Sequence, residues 1–216
     1  MHTRRAMREA KRLRSRRLRA VLAGGLVFGV GAAATLAAWN DSEYATATFT
    51  SGRFDILGAT NGTGFSDHGV GAPATLSFTV APTAMFPGTT TYALFSVKTA
   101  NPSGAGTLQL TAGTPSGDLA THLRYGVRLV PTAATPSQSC TAATYAAASA
   151  ATSVVVTDGS ILTVNGAATA AVPQVVSTNG GNQLNYCVAV SLPLNADNAA
   201  QNKSATQTWQ ITGTSS

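Results

Sequence analysis

The sequence predicts an all-β sandwich behind an N-terminal signal segment. Three observations lead there. Residues 1–38 are a basic block followed by an uncharged apolar run. Residues 39–216 are short alternating apolar–polar runs punctuated by Gly, Pro and Asn. No long helical periodicity interrupts those runs, so sheets must supply the core.

The signal comes first. Residues 1–19 carry Arg4, Arg5, Arg8, Lys11, Arg12, Arg14, Arg16, Arg17 and Arg19 against Glu9, whereas the whole chain is only +6. Residues 39–216 are slightly acidic, so the basic excess belongs to targeting and a nucleic-acid-binding reading is excluded. Ala20–Ala38 has no charge and is nearly long enough to span a bilayer. Its glycines (Gly24, Gly25, Gly29, Gly31) and its small-residue end favour a cleavable signal, with an uncleaved anchor as the alternative. Small residues at the cut suit a signal peptidase, which places cleavage between Ala38 and Trp39. Cleavage after Ala37 is the neighbouring possibility. Arg16-Arg17 is followed by Leu18-Arg19, which lacks the hydrophobic pair of a twin-arginine signal. Residues 39–216 then suffice for one secreted domain.

Within that domain, Ala45, Ala47 and Phe49 alternate with threonines, a half-buried strand pattern. The phase changes beyond Gly52, where Phe54 and Ile56 fall on even positions, so a break or bulge is expected there. Gly58–Pro73 reads as a loop. Ala74–Val80 reads as a strand with Leu76, Phe78 and Val80 on one face. A turn at Met85–Gly88 leads to a strand over Thr91–Ala100. Asn101–Gly104 breaks the chain before strands at Thr107–Thr111 and Leu123–Val130. Ala142–Ala151 has the composition of a short helix. Asp158-Gly159-Ser160 lies between Val154–Thr157 and Ile161–Val164 and predicts a tight hairpin. Leu184–Leu192 and Thr206–Ile211 are the last strands, separated by a polar loop. The C-terminus, Gly213–Ser216, carries no apolar tail or basic anchor.

The exported part has two cysteines, Cys140 and Cys187. In an oxidising compartment two cysteines pair, and a loop of that span adds about 4 kcal/mol in the chain-entropy model. Two buried thiols are the alternative if the chain stays inside. Catalytic signatures are sparse. There is no His-Glu-x-x-His, no zinc-spaced cysteine cluster and no phosphate loop between a strand and a helix. Ser66-Asp67-His68 contains the three residue types of a hydrolase triad. Neighbours on one loop seldom converge as nucleophile, base and orienter, and a solvated loop is the plainer reading. No cofactor is expected.

The junction resembles a known family. Leu36-Ala37-Ala38-Trp39-Asn40-Asp41 is similar to the processing site of exported proteins cut by SipW-type signal peptidases. Phe49-Thr50-Ser51-Gly52-Arg53-Phe54-Asp55-Ile56 is similar to the first strand of the TasA–camelysin family. Pro87-Gly88, Asn101 and the Tyr186-Cys187 strand running through Leu192-Pro193 resemble its later strands. The resemblance implies a jelly-roll or immunoglobulin-like sandwich and a SipW-type signal peptidase as partner during export. For the fibre-forming members it also implies a freed N-terminal segment that completes a neighbouring subunit. Here that segment is Trp39–Thr50, with Trp39, Ala45, Ala47 and Phe49 as its candidate contacts.

The expected function is therefore a secreted, non-catalytic subunit of an extracellular matrix or surface fibre (a biofilm-type matrix). A monomeric exported binding module and, more remotely, a camelysin-type peptidase are the alternatives. Two features depart from the family: the Cys140–Cys187 pair suggests an extra staple, and the missing zinc motif counts against proteolytic activity.

Overall fold

Alternation of apolar residues folds the region after Thr50 into two antiparallel sheets. The computed structural model describes residues 3–35, 41–79, 85–148, 153–166 and 173–216. The chain divides into two units, Met1–Phe49 and Thr50–Ser216. The first unit holds helix α1 (Thr3–Thr35). Among the described residues no helix is long and apolar enough to cross a membrane.

The second unit is an all-β sandwich. Its larger sheet contains β1 (Ile56–Ala59), β2 (Thr90–Thr99), β4 (Arg124–Val130), β5 (Val154–Ser160) and β7 (Gln183–Ser191), in the order β1-β2-β7-β4-β5. Its smaller sheet contains β3 (Gly106–Ala112), β6 (Val175–Val176) and β8 (Trp209–Ser215), in the order β6-β3-β8. Every pairing is antiparallel.

Strand β4 shows why the sheets stack. Tyr125, Val127 and Leu129 alternate onto one face and meet Leu108 and Leu110 of β3 in the main core. Tyr186, Val188 and Val190 do the same from β7. Each such side chain, fully buried, contributes roughly 1.5–3 kcal/mol, which is enough to fix the register of the central strands. Phe54 and Ile56 also pack against this core, but residues 41–55 are in no strand, so no strand changes phase at Gly52. The ring of Phe54 lies against Gly106 of β3 and Gly213 of β8, where a β-carbon on either would collide with it.

The other face of the larger sheet carries a second, smaller core of Leu94, Val130, Cys140, Tyr145, Cys187 and Ala189. Helix α2 (Ala142–Ala147) covers it. Six residues are too few for a helix to hold by itself. Thr141 and Thr144 close a capping box at its start, and a Cys140–Cys187 disulfide ties its approach to β7. β7 is consequently buried on both faces from Asn185 to Val190.

Three strand expectations need correction. The predicted hairpin at Asp158–Ser160 is absent. β5 runs straight through Asp158-Gly159 to Ser160, and Ile161–Val164 forms a turn with Val164 N–H donating to the Ile161 carbonyl at 3.1 Å. Gly159 does take positive φ (79°). That geometry serves a bulge instead: Tyr125 pairs with Ser160 and Val127 with Val156, leaving extra β5 residues between them. The strand predicted at Ala74–Val80 is reduced to one bridge, Phe78↔Ala93. Alternation survives there, with Leu76 and Phe78 against the core, while Val80 lies outside the described residues. The last strand is shifted. Thr206 makes only a bridge to Ser116, and the β3–β8 ladder runs from Trp209 to Ser215. Helix α2 ends at Ala147, and residues 149–151 of the predicted helix lie outside the described residues.

Candidate functional site

The predicted donor segment is the first place to look. Residues 36–40 lie outside the described residues, and with them Ala37, Ala38 and Trp39. The predicted cut and the first donor contact fall there. Ala45, Ala47 and Phe49 are described. They are in no strand and are exposed, Phe49 at 90% and the neighbouring Tyr44 at 95%. The alternation is present in the sequence, but within the single chain Asp41–Asp55 has no regular structure. A strand without a ladder partner has nothing to hold it extended.

Sheet edges are the complementary feature, since an unpaired edge offers free N–H and C=O groups. One side of β3 is covered piecemeal. β6 pairs with Gly106 and Thr107, Leu108 N–H donates to Gln174 at 2.7 Å, Gly166 N–H donates to Leu110 at 3.0 Å, and Ala112 N–H donates to the Asn165 side chain at 2.8 Å. β1 is likewise closed at Gly58, which exchanges hydrogen bonds with Ser66 at 2.9 and 3.0 Å. At the opposite ends of the two sheets lie β5 and β8. β5 carries a bulge and the charge of Asp158. β8 pairs with β3 in one unbroken register and contains neither charge nor proline.

Ser66-Asp67-His68 is half assembled. Ser66 Oγ and His68 Nε2 are 3.2 Å apart, and the imidazole lies edge-on to Phe95. Its Nδ1 is buried with no hydrogen-bond partner. A nucleophilic serine needs an acid behind the histidine to hold its tautomer, and Asp67 makes no such contact among the described residues. The arrangement is a packed loop. No group of three or more metal-ligating side chains occurs among the described residues.

The richest polar cluster was not legible as a site in the sequence. Arg128 of β4 points to the outer face of the larger sheet. It pairs with Asp158 of β5 at 2.6 Å and donates to the carbonyls of Tyr145 and Ala148, each at 3.0 Å. Its guanidinium stacks 4.6 Å from the Tyr145 ring centre. The Tyr145 hydroxyl donates to the other Asp158 oxygen. Burial, reinforced by the Asp158 carboxylate, pushes the Tyr145 phenol well above its ordinary value, so it stays protonated and a donor. Gly126 makes room: a β-carbon there would collide with Asp158 and with the Tyr145 hydroxyl. Tyr92 of β2 braces the same tyrosine at 5.4 Å between ring centres. These residues come from four elements. The one sequence signal was a lone arginine and a glycine on the polar face of an otherwise apolar strand.

Cys140 and Cys187 meet as predicted, with Cα atoms 5.1 Å apart. Trp209 packs on Tyr125 at 6.0 Å as a core residue. No family model matches the chain, and no curated protein does.

Proposed function

We propose that this chain is a secreted, non-catalytic structural subunit of an extracellular matrix or surface fibre, assembled by N-terminal strand donation. The resemblance of its junction to the TasA–camelysin family motivates the reading, and the finer jelly-roll or immunoglobulin-like assignment belongs to the same proposal. One observation carries it. A strand-patterned segment ending in a 90% exposed Phe49 occurs in a chain whose β8 is uncharged and, among the described residues, has a ladder partner on one side alone. Adding the segment to a neighbour's edge gives both sets of backbone groups their hydrogen bonds, while Ala45, Ala47 and Phe49 supply side-chain specificity. Head-to-tail donation does not close on itself, so it yields filaments. Export through a SipW-type signal peptidase would free the segment by cutting at Ala38-Trp39.

Deleting Trp39–Thr48 is the test. The variant is expected to melt like the parent by circular dichroism and to form no filaments by electron microscopy. Phe49→Asp is expected to weaken assembly by several kcal/mol, because it brings a charge into the contact. A parent without filaments, or a deletion that destroys the fold, overturns the proposal. A monomeric exported binding module is the second reading, and the cleft described next favours it.

A further inference from the structure

The outer face of the larger sheet carries a cleft of about 300 Å³ beside α2. Tyr92, Tyr145, Asp158 and Ala189 line it, with Thr90 and Ser191 at the rim. We infer that this cleft binds a neutral sugar residue of a glycan. The inference is independent of strand donation.

Size and wall chemistry come first. The volume sits at the lower end of the roughly 300–1,000 Å³ of small-molecule sites, so it takes a small unit. Tyr92 is half-buried and braced by Tyr145, which makes it a rigid ring with an apolar face and a polar tip. A pyranose has the matching surface: patches of C–H on its faces and hydroxyls around its edge.

The carboxylate is set in advance. One Asp158 oxygen accepts from Tyr145 and the other from Arg128, so the group is fixed in orientation. Each oxygen keeps acceptor capacity for a further hydroxyl. Asp158 is 52% exposed, so a ligand can reach it. Thr90 and Ser191 add hydroxyls that both donate and accept. A site ordered before binding loses less entropy when it binds.

Charge selects among ligands. Arg128 and Asp158 neutralise each other, and Arg128 spends further donors on two backbone carbonyls. The cleft therefore has no net charge to attract a phosphate or an amine. A clamp for α2 would need Arg128, Asp158 and Tyr145 alone. Ala189 and the Thr90–Ser191 rim lie outside that clamp and are what leave space for a ligand.

The experiment is a titration of the isotope-labelled full-length protein with glucose, galactose, N-acetylglucosamine and their β-linked dimers, followed by amide NMR shifts. Inorganic phosphate is the charged control. At least one sugar is expected to give saturable shifts at Thr90, Gly126, Gly159 and Ser191. Tyr92→Ala is expected to weaken that binding about tenfold or more. Ser191→Leu, which fills the rim without touching the clamp, is expected to abolish it, and thermal melting of both variants reports whether they fold. No saturable shift with any sugar overturns the inference. So does binding unchanged in a folded Ser191→Leu protein, or phosphate producing the same shifts.

Discussion

The edge strands β5 and β8 are built in opposite ways. β5 is bent by a bulge, holds Asp158 at its middle and is tied through Arg128 and Tyr145 to α2. β8 is regular, uncharged and bordered by exposed Gln210, Thr212 and Thr214. A charge and a bulge are the usual ways to keep an edge from pairing with another chain. The molecule applies both at β5 and neither at β8. The difference teaches that edge protection here is local: it coincides with the second core and is missing where that core does not reach.

The largest effect is expected at β8. Gln210→Lys with Thr212→Lys puts two cations on exposed positions of the open edge. Assembly seen by electron microscopy is expected to disappear, while stability changes by only about 0.5 kcal/mol per site, as for other surface changes. If filaments persist in the double variant, β8 is not the acceptor edge and the contrast loses its meaning. Next comes the anchoring behind β5. Replacing Cys140 and Cys187 by serine is expected to cost about 4 kcal/mol in urea unfolding and to loosen α2, leaving β8 untouched.

A smaller loss is expected from Asp158→Ala. It leaves Arg128, with only 15% of its side chain exposed, without its carboxylate. A fully buried broken pair costs about 3–5 kcal/mol. The half-exposed Asp158 reduces that to about 2 kcal/mol. The same change removes the charge guarding β5, so aggregation followed by light scattering is expected to rise.

The smallest effect concerns pH. Burial raises the phenol of Tyr145, and that of Tyr186, well above the ordinary value, and lifts Tyr125 to about 12. A raised folded value favours the protonated form. The stability these groups contribute is therefore complete below about pH 10 and declines as pH rises through the folded values. Tyr145→Phe is expected to make that decline shallower, measured as melting temperature between pH 9 and pH 11.

Much of the fold was legible because period-two patterns dominate its central strands. Tyr125, Val127 and Leu129 on β4 identified their own face, and so did Val188 and Val190 on β7. Cys187 falls out of that phase, and its odd position is where the second core lies. The phase change read at Gly52 had no counterpart, because Ala45–Phe49 has no ladder partner within the chain and forms no strand. Asp158-Gly159 misled, because a positive φ suits a bulge as well as a hairpin and only the partner strand decides between them. The Arg128–Asp158–Tyr145 cluster was illegible because its members lie on β4, β5 and α2, and no local spacing brings them together. Ser66 and His68 were legible as neighbours, but the unpartnered Nδ1 was not.

The Cys140–Cys187 bond has one more consequence. It closes a loop that contains α2, β5, β6 and the start of β7. A protease that cuts anywhere in this loop produces two peptides but not two molecules. The fragments stay joined at the central strand, so the cut end of β5 remains beside β4 and can re-pair. A nick in this region therefore leaves one covalent molecule, whereas a cut between β2 and β4 has no covalent bridge across it.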